Sequence, residues 1–197
     1  AVIENPRLKE ILIKEINSNK KWKRLVAGKQ MSIGIVDLSD PTNFKYAGMN
    51  DNFMMYAASL PKIAILLAAM DAIEEVLRAP KNMLYDEEVG GGLWVGKRYA
   101  AQGKRSPDPL KGLSHAATTR QVCSFYYQLA LGNLINAERS KEMLEIMKDP
   151  KLHHKFVNTL DKVAPKATVY RKSGSWRNYH SDSALVWGPE RKYIIVA

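Results

Sequence analysis

Apolar residues along this chain switch between a helical period and a strand period, and the order of the switches predicts the architecture. Leu8, Ile11, Leu12 and Ile16 recur at the spacing of one helix face, behind an Asn5-Pro6 pair suited to an N-cap and first turn. Residues 31–38 read as a strand, Asp40-Pro41-Thr42-Asn43 as a turn and residues 44–48 as the hairpin partner. The unbroken apolar run 63–70 predicts a buried helix. Residues 79–112 lose all periodicity and hold Pro80, Pro107, Pro109 and Gly90-Gly91-Gly92, so they read as loop-rich. Helices are expected over 119–132, 137–148 and 152–163, and strands over 167–173, 179–188 and 191–197.

Strands at both chain ends with helices between them predict an α+β (α/β sandwich) fold. An antiparallel sheet of about five strands is flanked by helices and carries an inserted helical lobe. The 197 residues are expected to form a single domain, with a sheet lobe from 1–56 and 166–197 and a helical lobe from 57–165. A cleft between the lobes is the natural place for a site.

Composition narrows the function classes. No run approaches the ~18 apolar residues of a membrane span. The single cysteine, Cys123, excludes an internal disulfide framework and sits on an apolar helix face as a buried group. The net charge of +10 raises nucleic acid as a partner, but the basic residues are dispersed. Their densest cluster, Lys20-Lys21-Trp22-Lys23-Arg24, is expected in a solvated loop, so no nucleic acid is expected. A basic surface also suits a carboxylate substrate or an anionic polymer. His153-His154 are adjacent and diverge on a helix, which argues against a metal. His180, Ser181 and Asp182 are strand neighbours pointing to alternate faces, so they cannot assemble locally as a triad. Trp94 and Trp176 are candidates for apolar walls of a cleft.

The chemistry lies elsewhere. Ser59-Leu60-Pro61-Lys62 opens the apolar helix, and a spacing of three puts the Ser59 hydroxyl and the Lys62 amine on one face. A partly buried lysine can take the serine proton, and unpaired N–H groups at a helix start can stabilise an oxyanion. Far downstream, Lys172-Ser173-Gly174 ends a strand. Lysine supplies charge, serine a hydrogen bond, and glycine allows close approach to the backbone.

Together these segments resemble the serine β-lactamase (class A-like) and penicillin-binding-protein-like serine hydrolases, whose motif set is S-x-x-K, S-D-N and K-T-G. The stretches Gly90-Gly91-Gly92-Leu93-Trp94-Val95-Gly96-Lys97 and Leu152-His153-His154-Lys155-Phe156 resemble a branch distinct from the well-studied resistance enzymes. The resemblance implies a catalytic pair, Ser59 and Lys62, and a substrate-binding edge of Lys172, Ser173, Gly174 and Ser175. It also implies an oxyanion hole from the backbone N–H groups of Ser59 and Ser175. It implies no metal or cofactor, a small-molecule β-lactam or peptidoglycan-like substrate, a monomer, and a periplasmic or secreted location. A penicillin-binding D-Ala-D-Ala peptidase or esterase is the alternative, as is a non-catalytic peptidoglycan-binding protein of the same fold. The chain departs from the pattern in two ways. No S-D-N stands between Ser59 and Lys172, and the similar Ser181-Asp182-Ser183 follows K-S-G. The water-activating glutamate has no clear counterpart, although Glu87 and Glu88 lie in the right stretch. Both departures, with a segment expected to be missing near residues 75–76, imply slow release of an acyl-enzyme. Ala1 in place of Met is expected of a mature or trimmed chain.

Overall fold

The computed structural model describes residues 4–40, 42–73, 85–96 and 106–197. Helix α1 (Pro6–Ser18) begins as its sequence predicts: the Asn5 side chain accepts from the Leu8 N–H at 2.9 Å, with Pro6 in the first turn. Helix α2 (Lys20–Ala27) corrects the expected loop over Lys20–Arg24. Asn19 ends α1 and caps α2, accepting from the N–H groups of Lys21 and Trp22. Lysine and arginine are good helix formers, so the cluster needs only that cap.

Strands β1 (Ile33–Asp37), β2 (Lys45–Met49), β7 (Thr168–Trp176), β8 (Tyr179–Trp187) and β9 (Lys192–Val196) build the expected antiparallel sheet, in the order β2-β1-β9-β8-β7. β7 is therefore an edge strand. Alternation sorts the sheet's two faces. Val36, Leu185, Ile194 and Val196 face a core shared with helix α3 (Lys62–Ile73), helix α4 (Thr119–Ala130) and helix α5 (Ala137–Met147). On the other face, α1 covers Ile33 and Ala47, and helix α6 (Phe156–Val163) covers Val169, Ala184 and Val186. Within α3, Ile63 and Leu67 are almost fully buried, each contributing about 1.5–3 kcal/mol from burial. α4 presses so close to β1 that a Cβ on Gly34 would stand 2.7 Å from the Cys123 sulfur.

A second antiparallel sheet was not legible in the sequence. Strands β3 (Met55–Tyr56), β4 (Tyr85–Asp86), β5 (Gly91–Val95) and β6 (His115–Ala117) align in the order β3-β6-β5-β4. Part of the stretch read as loop is thus a strand, because Leu93 and Trp94 pair with Ala117 and Ala116. Trp94, half-buried, packs against β4. Its ring meets Tyr85 edge-on at 5.1 Å and its Nε1–H donates to the Ser106 carbonyl. α6 is shorter than expected, since residues 152–155 run as a non-helical segment before it. The expected gap near residues 75–76 lies outside the described residues. Among the described residues, no helix is long and apolar enough to cross a membrane.

Candidate active site

Ser59 lies in a tight turn between β3 and α3, half-buried, with the α-helix proper starting at Lys62. Successive i→i+3 bonds build the turn: Leu60 N–H to Ala57 O at 3.0 Å, Lys62 N–H to Ser59 O at 3.3 Å and Ile63 N–H to Leu60 O at 3.3 Å. Ala58, immediately before the serine, has φ 50°, a left-handed conformation unusual for a residue with a Cβ. The turn is pinned from two sides. The Ala57 N–H donates to the His115 carbonyl on β6, and the Ser181 hydroxyl of β8 donates to the Ala57 carbonyl at 2.7 Å.

Strand β7 is brought directly against this turn at Gly174. A Cβ placed there would stand 2.3 Å from the Ala57 carbonyl oxygen, 2.7 Å from the Ser181 hydroxyl and 2.7 Å from the Ser59 nitrogen. Only glycine permits that approach. Lys172 lies two residues back on the same face. Burial pushes its amine down to about 8; the neighbouring Lys62 and Arg171 cations act the same way, against the Asp182 carboxylate. Its ammonium donates to the Ser173 carbonyl at 2.6 Å. The carbonyl of Lys172 accepts from the Ser183 hydroxyl, which is itself 3.0 Å from the Tyr126 hydroxyl of α4. Alternation turns Ser173 and Ser175 to the opposite face, where Ser173 pairs with Asp182 and Ser175 with His180.

Ser181-Asp182-Ser183 is therefore a wall of the sheet, not a displaced S-D-N. Asp182 forms a two-pronged ion pair with Arg171, at 2.8 and 2.9 Å, with both side chains almost fully buried. The same guanidinium donates to the carbonyls of Leu152 and His154 and to His154 Nδ1. His154 thus serves a structural network, and His153 pairs with Asp161 at 2.7 Å. Glu87 and Glu88 stand exposed on a 3₁₀ turn, Glu87–Val89.

The residue missed from sequence is Lys155. Its ammonium reaches β7 and β8, donating to Gly174 O at 2.6 Å, Ser181 O at 2.8 Å and Ser175 Oγ at 2.9 Å. Its only sequence signal was its place in the L-H-H-K-F stretch. Trp176 and Tyr179 close the β7–β8 hairpin, both more than half exposed, with Tyr179 edge-on to Tyr56 at 5.0 Å.

Comparison with known proteins gives a consistent picture. A family model described as the β-lactamase enzyme family matches residues 17–107 and 81–197. A search of curated proteins finds no match. Among solved structures, PBP-A aligns with a TM-score of 0.62 at 14% identity, over 100% of this chain and 89% of that one. A mutant of PBP-A in an acyl-enzyme complex with penicillin G aligns with a TM-score of 0.58 at 16% identity, over 88% and 83%. The β-lactamase from Sphaerobacter thermophilus aligns with a TM-score of 0.56 at 12% identity, over 83% and 81%. At these identities the structures share the fold.

Proposed function

The chain belongs to the β-lactamase enzyme family, and from that premise we propose that it is a serine hydrolase working through an acyl-enzyme on β-lactams or related amides. Ser59 Oγ attacks the carbonyl carbon and Lys62 accepts the hydroxyl proton. The tetrahedral oxyanion is held by the backbone N–H groups of Ser59 and Ser175. Collapse breaks the C–N bond, the leaving nitrogen takes up a proton, and the acyl group stays on Ser59. Water then cleaves the ester and restores the hydroxyl. Lys172, on the strand face that meets Ser59, holds the substrate carboxylate. We further propose that the single domain acts as a monomer, periplasmic or secreted.

The observation that carries this reading is the Gly174–Ser59 approach, which lays the edge of K-S-G against the serine of S-x-x-K. Exposure of Glu87 and Glu88 on their turn favours a second element: deacylation is slow, as in a penicillin-binding protein. Intact-mass measurement after incubation with benzylpenicillin tests the proposal. One adduct is expected, absent from Ser59→Ala; an equal adduct on Ser59→Ala would remove Ser59 as the nucleophile.

A further inference from the structure

Lys155 holds φ 54° and ψ −123°, a conformation that residues with a Cβ seldom adopt and that survives only when its surroundings over-determine it. Here they do. On one side, Arg171 grips the carbonyls of Leu152 and His154. On the other, Asp182 Oδ2 accepts the Phe156 N–H at 3.0 Å. The chain is thereby forced to send the Lys155 side chain across the sheet end, where its ammonium meets three neutral acceptors. Burial lowers the Lys155 pKa; Asp182 opposes the shift and Arg171 adds to it. A backbone strain and a partly buried cation are thus both sustained at one point, against the strand whose Gly174 meets Ser59.

The shortest of the three bonds is to the Gly174 carbonyl. That carbonyl and the Ser175 N–H are two ends of one planar trans peptide, so they point in opposite directions. A cation fixed on the oxygen fixes the direction of the N–H. It also draws electron density away from the nitrogen, making the N–H a stronger donor, as in polarised hydrogen-bond chains. We propose that Lys155 is a positioning residue that aims and polarises the Ser175 N–H as an oxyanion donor, acting through the Gly174–Ser175 peptide. This rests on Ser175 supplying that donor in the acyl-transfer reading above.

The test uses the whole chain with Lys155→Cys and Lys155→Gly. The cysteine variant keeps a Cβ on the strained backbone, and alkylation with 2-bromoethylamine rebuilds a lysine-length amine; Cys123 is buried and shielded from the reagent. The glycine variant relieves the backbone while removing the amine. Two quantities are read: the Ser175 amide resonance in a ¹H–¹⁵N spectrum, and the rate of acylation by a fluorescent penicillin. In both variants the Ser175 amide proton is expected to move upfield. Acylation should fall about 10–100-fold, part of the ~10²–10³ that a whole oxyanion donor contributes. Half-saturation by penicillin should change little, and aminoethylation should restore both readouts. If Lys155 merely clips the hairpin, the variants melt earlier while the Ser175 amide and the acylation rate stay at wild-type values, and the proposal is overturned. Should the wild-type protein take no adduct, the acyl-enzyme reading falls first. A Ser175 amide that still follows the Lys155 amine then supports the coupling on its own, and one that does not overturns it.

Discussion

Replacing Gly174 by alanine tests the central contact of the site. The new Cβ would meet the Ala57 carbonyl at 2.3 Å, where ordinary contact begins near 3.4 Å, so the two segments must part by about 1 Å. Neither side yields easily. The Ala57 carbonyl already accepts from Leu60 N–H and the Ser181 hydroxyl, and β7 is paired along its length with β8. Overpacking of this kind costs about 1–3 kcal/mol. For a chain of this size that lowers Tm by roughly 2–12 °C. Displacement of reacting groups by ~1 Å costs on the order of 10²-fold in rate. The acylation rate of Gly174→Ala with a fluorescent penicillin should therefore fall about a hundredfold, far more than its stability loss explains at a temperature where it is folded. Gly112→Ala is the control. Unlike Gly174 it sits at positive φ, 68°, with nothing within 4 Å of its Cβ, so it should lose stability through backbone strain and keep its acylation rate. A Gly174→Ala protein that acylates at the wild-type rate would refute the placement of β7 beside Ser59.

Arg171→Met should cost about 3–5 kcal/mol in urea denaturation, because it strands a buried Asp182. Adding Asp182→Leu should recover part of that loss; equal destabilisation by single and double variants would contradict the ion-pair account. Gly34→Ala should destabilise through the Cys123 sulfur, and Cys123→Ala in the same chain should relieve it, a non-additivity visible in thermal melts. Lys172 is charged below its pKa of about 8 and neutral above it. The KM for carboxylate-bearing substrates should therefore rise as pH passes about 8, with no such rise in Lys172→Gln; a flat wild-type KM would exclude a Lys172–carboxylate contact. With a chromogenic cephalosporin, an initial burst should precede slow turnover, since Glu87 and Glu88 stand exposed on their turn and loss of a general base costs ~10²–10⁴ in rate. Fast linear hydrolysis would mean that some carboxylate activates the water after all.

The elements legible in the sequence were those with a cap or a full period. Asn5-Pro6 marks α1, and the continuous apolar runs of β8 and β9 mark the sheet's centre. What escaped was local structure too short to carry a pattern. β3 and β4 have two residues each, and β5 opens on glycines, which a strand reading penalises. α2 was hidden because charge reads as solvent exposure whether the backbone is helix or loop. At the site, Ser59, Lys62 and Lys172 stood out because side-chain chemistry and spacing are visible in one dimension. Lys155 did not, because its role depends on a backbone torsion and on two carbonyls of other strands. The Arg171–Asp182 pair escaped for the same reason. Each residue alone looks like an ordinary strand charge, and only the register of β7 against β8 brings them together.

The position of β9 also has a consequence in time. The last strand of the described fold is a central one, paired with β1 on one side and β8 on the other. Until residues 192–196 have left the ribosome, β1–β2 and β7–β8 are two hairpins with no sheet joining them. The core over α3 and α4 then lacks the Ile194 and Val196 that complete it. A nascent chain of this kind cannot finish its sheet in the order it is made. Its decisive pairing spans almost the whole sequence, which predicts slow, late and highly cooperative folding. The bare edges of both hairpins stay open to chaperones, or to one another on neighbouring chains, until that final strand arrives.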